Sequence, residues 1–477
     1  MPDRGAAGRY FSVTDLLLDD DAYHSIMTAY LLDRLLGGTL PDPDSAGLLS
    51  VPTRSVVMAP SLDGAAADLV ARLGFRQRVL VVSDLTTQAI LGQRIVADLS
   101  ARFAVEHLIL TEPHADLDSV GQIEERQRSG AATALIAVGS GTINDLCKYA
   151  AHRQGIPYAV FATAPSMNGY TSVSAAITVD GHKKSLPATA AAGVFADLSV
   201  LAKAPLRMIR SGFGDSICRT TSQVDWLLAH LLLGQPYREA PFRLLREDEA
   251  AMLTHPERLV SGDLAAIELL TRNLILSGFG MTICGGSYPA SQGEHLISHY
   301  LEMLPPAGWP AALHGEQVAV ATVTMARLQD EMLRATAPQL AATRLTEDDL
   351  TAHFGAELGH SCWQSFSAKS LHAEEAAELT ARLKRDWPLM RARLDSCRLA
   401  PQTVLQALAV AGAPTAPADI GLTEDQYRAA VLHARQIRDR FTFLDLADDS
   451  GLLARFAATQ MQVADRQVAD RQAAVVR

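Results

Sequence analysis

The sequence predicts an α/β domain built on a doubly wound parallel sheet, followed by an all-helical domain. Between about residues 54 and 200, short apolar runs alternate with amphipathic stretches. Those runs lack polar alternation, as strands buried on both faces do. Beyond about residue 206 the strand signal stops and long helical periods take over. These three observations divide the chain into an α/β domain over 1–205 and a helical domain over 206–477.

The predicted strands are SVVMA (55–59), VLVVS (79–83), HLILT (107–111), ALIAV (134–138) and YAVFA (158–162). Each is short, rich in β-branched residues and bounded by polar, Gly or Pro residues. Between them, TTQAILGQRIVADLSARF (86–103) and SVGQIEERQRSG (119–130) carry helical periodicity. Strands alternating with helices imply parallel pairing, with a ligand crevice beyond the carboxyl ends of the strands. In the second half DLAAIELLTRNLILSGFGMTI (263–283), EQVAVATVTMARLQDEMLRATA (316–337) and EDQYRAAVLHARQIRDRFTFLDLA (424–447) each read as a helix. The chain ends in a tandem VADRQ VADRQ (463–472), charged and without an apolar seam, which reads as a solvated tail.

A net charge of −11 argues against nucleic acid or an anionic membrane surface as partner. Cys147, Cys218, Cys284, Cys362 and Cys397 are odd in number and lie far apart, without a C-x-x-C pair. That fits neither a disulfide framework nor a cysteine-rich zinc site, and points to buried thiols in a reducing compartment. The N-terminus, MPDRGAAGRYFSVTDLLLDDDAYHS, lacks the uninterrupted apolar run of a signal peptide. No stretch is read as approaching the ~18 apolar residues of a membrane helix. A soluble cytoplasmic protein is expected.

ALIAVGSGTINDLCKYAA (134–151) is a strand, a glycine-rich turn and a helix. Gly139 and Gly141 can adopt positive φ and let a backbone approach closely. The helix N-terminus behind them would offer N–H groups to a pyrophosphate. Asn144 stands where a G-x-G-x-x-G turn needs its third glycine, and no Gly-Lys-Ser/Thr follows. The plain alternative is a tight turn without a ligand. His295 and His299 lie four apart and share a helix face, and His314 opens the next helical run. With 14 histidines in the chain such a pair arises easily by chance, so metal binding, packing and surface exposure all stay open. Asp215, in SGFGDSI, reads as a carboxylate at a helix start.

VGSGTINDLCKYAA, FATAPSMNGYTSVSAAI (161–177), GFGDSI (212–217), PASQGEHLISHYLEM (289–303) and LHGEQVA (313–319) follow one another in order. Together they resemble the sn-glycerol-1-phosphate dehydrogenase family, in the wider group of iron-containing alcohol dehydrogenases, glycerol dehydrogenase and dehydroquinate synthase. The resemblance covers about residues 55–330. It implies a nucleotide-binding domain, a helical metal-binding domain and catalysis in the cleft between them, in a homodimer or larger assembly. By position, Gly139, Ser140, Gly141, Thr142 and Ile143 would wrap the phosphates of NAD or NADP. Thr163, Ala164, Pro165, Ser166 and Ser172 would line the nicotinamide side, with Asp84 near the adenosine end. Asp215, His295 and His314 would bind one divalent metal, zinc by first choice, with nickel or iron also suited to imidazole and carboxylate ligands. Asp215 would also border the substrate as part of the catalytic centre, and His299 would reach the substrate and relay its proton. The implied reaction is reversible reduction of a small phosphorylated ketone, dihydroxyacetone phosphate or a related carbonyl. The alternatives are a lyase or cyclase of the dehydroquinate synthase kind, using NAD only transiently, and a non-catalytic relative.

Two positions depart from the family pattern. Its S-M-D-G-Y-T-S block has Asn168 here in place of aspartate. Its S-R-P-A-S-G block reads Ser287, Tyr288, Pro289, Ala290, Ser291 and Gln292. One negative charge and one potential bidentate partner for phosphate are therefore missing. Either the substrate is unchanged and these positions have drifted, or a related ketone or aldehyde with a different polar end is preferred. Lys183 and Lys184, in GHKKSLPA, leave positive charge for an anionic substrate, or form a solvated turn.

Overall fold

The computed structural model describes residues 31–179, 182–310 and 312–459. The N-terminal stretch MPDRGAAGRYFSVTDLLLDDDAYHS and the VADRQ tandem lie outside them. Six parallel strands form the central sheet: β1 (Ser55–Ala59), β2 (Arg78–Asp84), β3 (Ala104–Leu110), β4 (Ala134–Gly139), β5 (Tyr158–Ala162) and β8 (Gly193–Asp197). Their spatial order is β1-β8-β5-β4-β2-β3. Residues of β4 and β5 are buried throughout, which explains why their sequences carry no polar alternation.

The five predicted strands are present, and five further strands among the described residues were not predicted, two of them a short antiparallel pair at Leu40–Pro41 and Leu48–Leu49. β8 packs between β1 and β5, a five-residue GVFAD whose run is too short and too alanine-flanked to stand out. The other two are β6 (Ser174–Val179) and β7 (His182–Pro187), an antiparallel hairpin that carries Lys183 and Lys184.

The stretch predicted as one helix over 86–103 is interrupted. Helical residues Leu85–Thr87 pass into a π turn, Gln88–Gly92, before regular helix resumes over Gln93–Leu99. The Gln88 side chain folds over Gly92, where a Cβ would overlap it, and approaches the Ser83 hydroxyl at 3.3 Å.

After Asp197 no strand occurs among the described residues. The helices that carry the site are α1 (Gly141–Gln154), α2 (Leu206–Ile217), α3 (Arg219–Leu233), α4 (Leu264–Ile283), α5 (Gly293–Met303) and α6 (His314–Arg334). α4 corrects the expectation about apolar length, being 20 residues long and apolar enough to cross a membrane. It is instead a core helix, with 78% of that window buried. One apolar core joins the sheet to Ile209 and Phe213 of α2 and to Leu270 and Leu274 of α4. A second gathers Val224, Leu296, Val320, Trp387 and Tyr427. All five cysteines are free, with Cys147, Cys218 and Cys362 buried and the other two half-buried.

The stretch over 424–447, expected as one helix, is broken. A helix over Glu424–His433 tightens into a 3-10 turn at Ala434–Ile437, the chain bends through 438–442, and α7 (Phe443–Asp449) begins. The cause is Arg435, wholly buried and paired with Asp445 at 3.0 Å, Asp449 at 2.9 Å and Asp448. Ten residues of continuous helix would hold residues 435 and 445 ~15 Å apart, so the chain must fold back. Thr442 and Asp445 close the new helix start with a reciprocal capping box. The same bend delivers Arg438 and Arg440 toward the cleft.

Candidate active site

β4 ends at Gly139, Ser140 turns the chain with extended geometry, and α1 begins at Gly141. Neither Gly139 nor Gly141 uses the positive φ open to glycine. Gly139 is required for packing instead: a Cβ there would lie 2.6 Å from the Cβ of Ile143, whose side chain is buried against the turn. A Cβ on Gly141 would lie 3.4 Å from Met167 Cγ, an ordinary contact distance. Ser140, Gly141 and Thr142 line a cavity of about 310 Å³ whose far wall holds Asp215, His295, His299 and His314.

Lys148, about two turns further along α1, is fully buried. Its ammonium donates to Gly169 O (2.5 Å), Ser172 Oγ (3.0 Å) and Ser174 O (3.0 Å) and pairs with Asp145 (3.4 Å). Burial lowers its pKa, and the Asp145 carboxylate opposes that shift. It fastens the 167–174 loop to the helix that follows the glycine turn. The sequence reading missed it, and a lone lysine inside a helical pattern gave no signal.

Asp215 is the tenth residue of α2, not a residue at a helix start. Glycines place it. A Cβ on Gly214 would overlap the Gly315 carbonyl, and one on Gly315 would overlap the Ser211 carbonyl. α2 and α6 therefore meet backbone to backbone, which sets Asp215 beside His314 at the start of α6. His295 and His299 come from successive turns of α5.

Ligand atoms of Asp215, His295 and His314 all lie within 4.8 Å of one another. Asp215 Oδ2 accepts from the Asn168 backbone N–H at 2.8 Å, while Oδ1 is buried with no hydrogen bond and sits 3.6 Å from His295 Nε2. Glu294 lies 3.0 Å from His295 Nδ1, and Glu302 lies 3.5 Å from His314 Nδ1. Each imidazole thus has a carboxylate beside its Nδ1, as metal-binding histidines commonly do. A bare buried carboxylate oxygen facing two such imidazoles fits a divalent cation. Cys218, Glu294 and His295 also converge. Cys218, however, has its thiol pKa pushed up by burial and donates to Asp215 O, and both Glu294 oxygens already accept hydrogen bonds. Neither Glu294 nor Glu302 was singled out from sequence.

His299 lines the cavity, with its ring centroid 6.0 Å from that of His295 and 5.9 Å from that of His314. Burial, reinforced by the Arg438 charge, holds its pKa well below the ordinary histidine value, so the ring is neutral. Ser166, Asn168, Ser172 and Lys184 line the same cavity. Asn168 contacts Asp215 through its backbone, and its amide reaches Ser277 at 3.3 Å. Asp84, Thr163, Ala164 and Pro165 do not line it. They finish β2 and follow β5 at the same sheet edge, Asp84 accepting from Thr87 N at 2.7 Å and Thr163 N donating to Gly139 O. Tyr288 faces neighbouring volumes instead: its ring stacks on Trp226 and lies under the Arg440 guanidinium, 4.8 Å away.

A family model described as iron-containing alcohol dehydrogenase matches residues 57–205. The crystal structure of glycerol dehydrogenase from Schizosaccharomyces pombe superposes with a TM-score of 0.55 at 15% identity, over 86% of this chain and 91% of that one. The architecture is that of the iron-containing alcohol dehydrogenases. Sequence relatives narrow the class. The glycerol-1-phosphate dehydrogenase [NAD(P)+] of Bacillus subtilis is 30% identical over 426 residues, 86% of this chain and 95% of that one. That of Halalkalibacterium halodurans is 37% identical over 260 residues, 52% of this chain and 64% of its own length. The chain belongs to the glycerol-1-phosphate dehydrogenase family.

Proposed function

We propose that this protein reversibly reduces a small phosphorylated ketone of the dihydroxyacetone phosphate kind, with NADH or NADPH as hydride source. The observation that carries the reading is the bare Oδ1 of Asp215, buried between two oriented imidazoles in one cavity with the glycine turn. Asp215, His295 and His314 would hold one divalent ion, zinc by first choice, which when bound supplies Lewis acidity toward the substrate oxygen. The N–H groups at the start of α1 would take the dinucleotide phosphates. Neutral His299 would accept a proton from the alcohol and return it in the reverse direction. Lys183 and Lys184, on the hairpin above it, give that end of the cavity positive charge, and Lys183 is balanced by Glu302 at 2.7 Å.

The test is oxidation of NADH and NADPH by metal-loaded protein, offered dihydroxyacetone phosphate and unphosphorylated dihydroxyacetone. Stoichiometric oxidation with the phosphorylated ketone is expected. Conversion of a substrate without net loss of reduced cofactor would replace this reading by lyase or cyclase chemistry.

A further inference from the structure

We propose that Arg438, delivered into the cleft by the break in the C-terminal helix, is a specificity-determining residue that binds the anionic phosphate end of the substrate. The proposal rests on the phosphorylated-ketone reading above.

Arg438 lines the same cavity as Asp215, His295, His299 and His314, although it lies more than 120 residues beyond them in sequence. The cavity opens past it into a second volume of about 710 Å³, and Lys183, Lys184, Ser287, His299 and Arg438 border both. They stand where a small molecule reaching in toward His299 would leave its far end.

Of the four cations bordering the second volume, two are committed. Lys183 pairs with Glu302. Arg440 donates to Ser287 Oγ at 2.8 Å and to the Ser291 carbonyl, and covers the Tyr288 ring. Half-buried Arg438 makes no hydrogen bond or ion pair among the described residues, and exposed Lys184 makes none either. The carboxylates acting on Arg438 are Glu302, already shared with Lys183 and His314, and its exposed neighbour Asp439. A guanidinium held in a cleft without a partner offers a planar fork matched to two phosphate oxygens.

The geometry also accounts for the absent arginine at 288. The Tyr288 ring stacks on Trp226 and borders the second volume and a neighbouring one, but does not line the cavity of the metal cluster. Tyr288 now serves as the platform for Arg440, and the adjoining bend supplies the cation nearer His299. A phosphate partner is therefore retained, but from another part of the chain.

The experiment compares wild type with Arg438→Met and Arg438→Lys in two measurements on metal-loaded protein. The first is the ratio of kcat/KM for dihydroxyacetone phosphate over dihydroxyacetone. The second is binding of inorganic phosphate by calorimetry, which needs no turnover. Arg438→Met should lower both the ratio and the phosphate affinity roughly tenfold to hundredfold, as loss of charged hydrogen bonds does. The kinetic loss should fall in KM, and lysine should rescue part of it. A wild type that prefers the phosphorylated ketone, with a variant that keeps both the preference and the phosphate affinity, overturns the role of Arg438 and leaves the proposed function standing. A wild type with no preference for the phosphorylated ketone sinks the substrate reading. Phosphate titration then decides separately whether Arg438 binds anions, and unchanged affinity in the methionine variant would refute it.

Discussion

Replacing Lys148 with methionine removes one buried charge while keeping most of the side-chain volume. Four interactions go: those to Gly169 O, Ser172 Oγ and Ser174 O, and the pairing with Asp145. Hydrogen bonds to a charged group contribute about 1.5–3 kcal/mol each, but the losses do not add. Ser172 Oγ already lies 3.0 Å from Gly169 O and 2.9 Å from Ser174 O, so its hydroxyl can satisfy one of the two carbonyls. Asp145 keeps the Ala176 N–H at 3.0 Å and the Asn144 amide. The ammonium's own desolvation cost is also recovered. The net loss should match that of breaking a buried pair, about 3–5 kcal/mol, a large part of the ~5–15 kcal/mol that holds a domain folded. At about 2–4 °C per kcal/mol for a domain of this size, Tm should fall by roughly 6–20 °C. The loop released is the one whose Asn168 N–H holds Asp215, so metal affinity should weaken with it. Urea unfolding and metal analysis of the purified variant measure the two effects. A variant within about 1 kcal/mol of wild type, with full metal content, would show that Lys148 does not fasten this loop.

Three further perturbations test the site and its frame. His314→Ala should lose the bound metal while far-UV circular dichroism stays unchanged, because the side chain borders a cleft and is 30% exposed. Wild-type metal content in that variant would remove His314 from the ligand set. Gly214→Val forces a side chain into the Gly315 carbonyl and should cost at least about 1–3 kcal/mol, as overpacking does, together with metal affinity, since it parts Asp215 from His314. Denaturation at the wild-type urea midpoint would refute the backbone contact. Asp197 tests pH: burial pushes its carboxyl up, but the Ser199 hydroxyl, the Leu62 and Val200 amides and Arg94 outweigh that and hold it below the usual aspartate value. A depressed folded pKa gives stability that is present above about pH 4 and lost as pH falls through the folded value. Tm measured from pH 6 to pH 3 should therefore fall less steeply in Asp197→Asn than in wild type, and equal slopes would show that Asp197 contributes nothing to acid sensitivity.

Five of the six strands in the central sheet were legible as short apolar runs between turn residues, although the outer two, β1 and β3, are only part-buried. The hairpin was not, because KK in a polar run looks like a loop until the sheet places it over the cleft. His295, His299 and His314 could be listed from spacing, but with 14 histidines in the chain spacing alone could not separate ligands from surface residues. The family resemblance proposed that distinction, and Asp215, His295 and His314 converge in the folded chain.

What the sequence by itself determined is the local grammar: buried strands, the glycine turn that opens α1, and the helices with the residues they carry. Periodicity and turn chemistry are properties of neighbours along the chain, so they can be read in one dimension. Tertiary structure alone decided that Asp215 sits late in a helix, that Gly214 and Gly315 bring two helices into backbone contact, and that Lys148 ties a loop 21 or more residues away. It also broke the C-terminal helix, because buried Arg435 can reach its three aspartates only if the chain folds back. That single ionic requirement, invisible to helical periodicity, is what brings Arg438 to the site.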